Sequence, residues 1–229
     1  MIVLIITAVR IKSMDSHRIS GRILAENIAG PGMLRLVEQS MQARARKTSV
    51  TEIAVKERKH PQAALTFDDG PDIRYTPLLL DGLKERNVRV SFFLLGEKVE
   101  QYPELVERMQ KEGHLVGNHT YHHVQLNKLN ETKAREEILK TNNLIYETTG
   151  VYPLYLRPPF GAWKKNLELC VEMLPVFWTI DTLDWKVQNT EKIVRTVQEQ
   201  IEDGAIILMH DEYDTSVEAA LQVVDELKN

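Results

Sequence analysis

Five groups of polar residues stand in this sequence where apolar runs end. LTF runs into Asp68-Asp69-Gly70, and LVGN into HTYHH (119–123). LYL runs into RPPFG (157–161), FWTI into Asp181 with Asp184 and Trp185 just beyond, and IILM into His210-Asp211. Four of the seven histidines lie within 114–123. Histidine titrates near neutral pH and is the commonest metal ligand. A divalent transition metal that keeps a position open for water takes about three protein ligands from imidazole and carboxylate. Asp69, His119 and His123 would supply that set. Neighbours on an extended chain point to opposite sides, so at a strand end one aspartate can bind metal while Asp68 stays free as a base. Two carboxylates this close raise one another's pKa. A cation is therefore needed, and Arg157 and the metal are the candidates.

Each group alone is weak. Asp-Asp-Gly-Pro forms turns, a lone His-x-x-x-His is more often coincidence than a site, and Arg-Pro-Pro is an extended segment with a solvated arginine. Their recurrence at five strand ends is what points to a shared site, because α/β proteins collect chemistry at the C-terminal ends of their strands. His17, His60 and His114 carry no such signal.

The elements that position these groups alternate with strand and helix periodicity from residue 62 onward. Strands are expected at 63–67, 88–96, 114–118, 154–158, 175–181 and 205–210. Helices are expected at 77–86, 103–113, 131–148, 165–174, 190–204 (Thr190 as N-cap) and 215–228. Near-continuous apolar strands are buried on both faces, which means a parallel sheet covered by helices. A closed or nearly closed βα barrel is predicted, with an open doubly wound sheet as the alternative. The last helix runs to the end of the chain, so the barrel is expected to lack its final closing strand.

The 229 residues suffice for one sizeable core. Residues 1–60 hold 11 basic against 5 acidic side chains, and 61–229 hold 18 against 28. The first 60 residues read as a basic leader ahead of the domain at 61–229. Its apolar run, Ile2–Val9, is too short to span a bilayer. It reads as the remnant of a membrane anchor or as an ordinary strand, the anchor preferred because basic residues follow it, giving an expected membrane association through the N-terminus. Basic residues are not interleaved with aromatics on a folded segment, so no nucleic-acid partner is expected. The single cysteine, Cys170, excludes an intrachain disulfide.

Over roughly 62–215 the chain resembles the NodB-type polysaccharide deacetylases, carbohydrate esterase family four. The matching motifs are TFDDGP (66–71), HTYHH (119–123), RPPFG (157–161), DTLDW (181–185) and LMHD (208–211), in the family's order. The resemblance implies a distorted βα barrel and a zinc-type divalent metal, with cobalt or other ions able to substitute. It implies Asp69, His119 and His123 as ligands, the family spacing choosing His123 over His122. His122 is left to orient the loop or line the groove. Asp68 is then the general base oriented by Arg157, and His210 the general acid supported by Asp184. Trp185 and Leu208 would wall the acetyl pocket, and the Phe160 N–H would help hold the oxyanion. The implied reaction removes N-acetyl groups from a GlcNAc polymer, peptidoglycan before chitin, in a monomer acting in the cell envelope or outside a bacterium. The same site would serve O-deacetylation of acetylxylan. A sugar-binding pseudoenzyme would be expected to lack one of these groups, and none is missing.

Overall fold

The computed structural model describes residues 61–163 and 173–228. The leader, His17, His60 and Cys170 lie outside the described residues, as does most of the helix expected at 165–174. Seven strands form one sheet: β1 Ala63–Asp68, β2 Ser91–Leu94, β3 Leu115–Asn118, β4 Tyr155–Leu156, β5 Leu174–Pro175, β6 Ile180–Asp181 and β7 Ala205–His210. Their order is β5-β4-β3-β2-β1-β7-β6. Every neighbouring pair is parallel.

The segment expected as one strand at 175–181 is two. β5 pairs with β4 at one edge of the sheet, and β6 pairs with β7 at the other. Only residues 176–179 separate them. Six inter-strand steps across a flat sheet would hold these edges about 29 Å apart. Five chain steps reach at most about 18 Å. The sheet must therefore curl, and it forms the distorted βα barrel with β5 and β6 as its edge strands. The Val176 N–H still reaches the Leu156 carbonyl at 2.8 Å, and the Thr179 N–H reaches that of Ile206 at 2.9 Å.

The longer helices are α1 Tyr75–Glu85, α3 Pro103–Lys111, α4 Glu131–Thr149, α6 Thr190–Gln200 and α7 Asp214–Lys228. Two short helices escaped the periodicity: α2 Gly96–Gln101 and α5 Asp184–Val187. Asn130 caps α4 by accepting the Lys133 N–H, and Gly150 closes it with φ at +71°. The cap of α6 is Asn189, whose side chain accepts the Lys192 N–H, so Thr190 is the first helical residue instead.

Alternation along the strands separates two faces. Leu65, Phe67, Phe92, Leu94, Ile207 and Met209 pack with the helices in the main core. Each such side chain contributes about 1.5–3 kcal/mol on full burial. Thr66 and Asp68 alternate with that set and so face the inside of the curl, as do Leu208 and His210 on β7. Register sets Thr66 beside Leu208 and Asp68 beside His210. His114 is a buried histidine of the core. Its Nδ1 accepts the Val90 N–H at 3.1 Å, and its ring meets Phe92 edge-on.

Candidate active site

The strand ends bring the predicted residues together. Asp68 ends β1, and Asp69 follows with φ at +68°. Of seven non-glycine residues with positive φ among the described residues, Asp69, Thr120, His123, Phe160 and Leu183 lie in these strand-end segments. Such conformations persist only where the surroundings over-determine them, and they gather at functional sites.

Asp69, His119 and His123 offer ligand atoms that all lie within 4.8 Å of one another. Asp69 Oδ1 stands 3.4 Å from Nε2 of each histidine. That oxygen is buried with no hydrogen-bond partner among the described residues. A buried, unpartnered carboxylate oxygen facing two imidazole nitrogens suits a divalent cation, and the donor set suits zinc or a similar metal. His119 Nδ1 lies 2.7 Å from the Arg157 carbonyl. A carbonyl only accepts, so Nδ1 carries the hydrogen and the Nε2 lone pair faces Asp69. Burial, against the pull of Asp69, lowers the His119 pKa to about 3 and keeps the ring neutral, as a ligand must be.

Arg157 is 0% exposed. Its Nη1 donates to Asp68 Oδ1 and to Thr66 Oγ, both at 2.7 Å. Its guanidinium also lies 4.2 Å from the Phe93 ring centre. Burial pushes the Asp68 carboxyl above its ordinary value, and the charge of Arg157 opposes that. The other Asp68 oxygen is 3.6 Å from His119 Nε2.

Asp184 is fully buried in the first turn of α5, and His210 ends β7. Asp184 Oδ1 meets His210 Nδ1 at 2.8 Å, and Oδ2 accepts the His210 backbone N–H at 2.8 Å. Ser216, in the first turn of α7, donates to the same Oδ2 at 2.7 Å. Burial alone would raise the Asp184 pKa, but the hydrogen bonds from His210 and Ser216 hold it below its ordinary value. Burial pulls His210 down, while the Asp184 hydrogen bond and charge, with Asp69 and Asp68, push it up to about 9. The remaining nitrogen, Nε2, stands 3.9 Å from Asp69 Oδ2.

Phe160 is 62% exposed, and its ring lies 4.5 Å from that of His123. Trp185 is 49% exposed at the start of α5, whereas Leu208 is buried on β7. Asp181 stays out of the cluster and accepts the Leu183 N–H at 3.0 Å. His122 turns away to Glu137. Sequence reasoning missed Thr66 and Ser216. Thr66 had a signal, because it precedes Asp68 by two residues and so shares its face. Ser216 had none, because its contact with Asp184 depends on how α7 packs.

The sequence profile of the family described as polysaccharide deacetylase matches residues 55–177. The chain is 41% identical over 174 residues to a peptidoglycan-N-acetylglucosamine deacetylase of Bacillus cereus, covering 73% of this chain and 63% of that protein. It is 41% identical over 164 residues to the peptidoglycan-N-acetylmuramic acid deacetylase PdaC of Bacillus subtilis, covering 72% of this chain and 35% of that protein. The chain thus spans less than two thirds of the length of either curated relative. The solved structure of peptidoglycan deacetylase PdaC from Bacillus subtilis superposes with a TM-score of 0.71 at 40% identity, over 74% of this chain and 84% of that one.

Proposed function

The chain belongs to the polysaccharide deacetylase family, and on that premise we propose that it removes N-acetyl groups from GlcNAc-type residues of a polysaccharide, peptidoglycan ahead of chitin or chitooligosaccharide. The observation that carries this reading is a pair of ion-paired dyads flanking one ligand cluster. Arg157 holds Asp68 at 2.7 Å and Asp184 holds His210 at 2.8 Å, with Asp69, His119 and His123 between them. A base and an acid on either side of a carbonyl-activating centre are what amide hydrolysis requires.

Asp69, His119 and His123 are the residues to hold a divalent cation, zinc by preference, which supplies when bound an activated water and a polarised acetyl carbonyl. Asp68 takes the proton of the attacking water. Its burial raises its proton affinity above that of an ordinary carboxylate, and Arg157 fixes which oxygen remains available. His210 Nε2 gives a proton to the departing nitrogen, because an amine leaves poorly unless protonated. Asp184 keeps His210 charged for that step and Ser216 fixes Asp184. The Phe160 N–H contributes to the developing oxyanion. Trp185 and Leu208 wall the space for the acetyl methyl. The products are acetate and a free amine.

Residues 61–229 form the deacetylase domain in this reading, with 1–60 outside it. A monomer is the active unit in this reading. A wall glycan places the activity outside the cytoplasmic membrane. No helix among the described residues is long and apolar enough to cross a membrane. Anchoring through the N-terminus therefore falls to the leader. Acetate release from zinc-loaded protein tests the reading. Release from N-acetylated peptidoglycan or chitooligosaccharide supports it, release from acetylxylan alone favours O-deacetylation, and release from none overturns it.

A further inference from the structure

We propose that Glu137 is a positioning residue for the metal, a clamp on the loop between His119 and His123; this rests on the ligand set proposed above. The loop passes through left-handed backbone at Thr120, φ +67°, and at His123, φ +55°. Neither residue is glycine, so the surroundings must impose the shape. Successive backbone N–H groups beside a left-handed residue form a concavity that suits an anion. The Glu137 carboxylate fills it. Its Oε2 accepts the N–H of Tyr121 at 3.0 Å and of His122 at 2.9 Å. Its Oε1 lies 2.7 Å from His122 Nδ1. Hydrogen bonds to a charged acceptor are the strong ones.

Glu137 stands on α4, and the same stretch of that helix holds the start of the loop. Asn118 Nδ2 donates to the Ile138 carbonyl at 2.9 Å and to Asn142 Oδ1 at 2.7 Å, while Asn118 Oδ1 accepts the Thr120 N–H at 2.6 Å. One rigid helix thus grips the chain on both sides of Thr120. His122, left out of the ligand set, becomes the outer half of the clamp by holding Glu137 through its ring. His119 is pinned separately by the Arg157 carbonyl. Losing Glu137 therefore loosens His123 alone, one ligand of three, and weakens metal binding without abolishing it.

The test reads metal affinity rather than turnover. The zinc Kd of the full chain is measured by competition with a chromophoric chelator for wild type, Glu137→Ala, Glu137→Asp, Glu137→Gln and His123→Ala, with the melting temperature of each metal-free protein. Substitutions behind a ligand weaken metal binding about 10- to 100-fold, and that is the expectation for Glu137→Ala at a melting temperature within a few degrees of wild type. Glu137→Asp, a methylene short of both amides, is expected to fall about fivefold or more, and Glu137→Gln, which keeps one acceptor but not the charge, to lie between Glu137→Ala and wild type. A Glu137→Ala Kd within about threefold of wild type, with His123→Ala losing zinc, overturns the clamp and leaves the ligand set standing. Should Glu137→Ala fail to fold, a Glu137→Asp Kd within about twofold of wild type overturns the clamp instead. Wild-type zinc binding by His123→Ala overturns the ligand set and the clamp with it.

Discussion

Replacing Asp184 by asparagine is expected to move the alkaline limb of activity toward acid. Burial opposes the charged form of His210, and the Asp184 hydrogen bond and charge are the main forces that reverse it, lifting the ring from 6.5 to about 9. Roughly 2.5 pH units at about 1.4 kcal/mol each is about 3.5 kcal/mol of preference for the protonated ring. A cation on Asp69 cancels part of what Asp69 and Asp68 add, so the metal-loaded limb lies on the acid side of the metal-free value. In Asp184→Asn the burial remains and the largest raising influence is gone, so the limb moves toward acid. At pH 8 a group with pKa 9 is about 90% protonated and one with pKa 6.5 about 3%, so protonation alone removes up to about 30-fold of the rate. Stability follows the same group. A folded pKa raised above the unfolded value gives stability that is full below about pH 6.5 and is lost as pH rises through about 9. Metal-free wild type is expected to lose up to about 3.5 kcal/mol over that window, and the variant markedly less. Acetate release from an N-acetylated oligosaccharide between pH 5 and 10 at saturating zinc, with urea titrations of the metal-free proteins, reads both. An alkaline limb at the same pH in both proteins would refute His210 as an acid kept charged by Asp184.

Three further substitutions probe neighbouring parts of the site. Asp68→Asn keeps the shape of the base but not its charge, and is expected to cut turnover about 100-fold or more while zinc content, by elemental analysis, stays at the wild-type level. Arg157→Lys keeps a cation beside Asp68 but cannot reproduce the planar fork. Losing the bonds to Thr66 and the nearby carbonyls is expected to lower stability by about 1–3 kcal/mol in urea titration, together with turnover. Gly70→Ala would drive a Cβ into the buried Asp211 carboxylate. Overpacking of that kind typically removes about 1–3 kcal/mol, seen as a lower melting temperature with zinc absent.

The strand ends were legible because five of the six expected strands are apolar runs closed by a polar cluster, whereas the order of the strands in the sheet had no such signal. Asp68, His119, Arg157 and His210 therefore fell at one end of the sheet before any contact was known. The segment 175–181 was misread for a physical reason. PVFWTID has the composition of one buried strand, but its pairing partners sit on opposite edges of a curled sheet, and local composition carries no record of curl. The cap of α6 was displaced by one residue because Asn189 and Thr190 are both good caps, and only backbone geometry chooses between them. Glu137 and Ser216 were invisible for another reason: one carboxylate among many on a charged helix, and one hydroxyl in a helix's first turn, have no pattern of their own.

The curl and the chemistry meet at Arg157. Its Nε and Nη2 point to the carbonyls of Val176 and Phe177, at 3.4 and 3.5 Å, in the short connector that joins the two edges of the sheet. Its Nη1 is shared by Asp68 and Thr66, and Thr66 passes its own hydroxyl to the Ile207 carbonyl at 2.7 Å. Ile207 lies on β7, the strand that ends in His210. One buried guanidinium thus ties the connector to Asp68, the proposed base, and the threonine beside it ties that strand to the one ending in His210, the proposed acid. An arginine can do this because its fork offers five donors in fixed directions. A hydrophobic residue of equal volume would fill the space and leave Asp68 a buried, uncompensated charge, which costs about 3–5 kcal/mol. The separation between Asp68 and His210 is therefore set by the same contacts that hold the curled sheet together, so a change that relaxes the curl is also a change in the geometry of the proposed site.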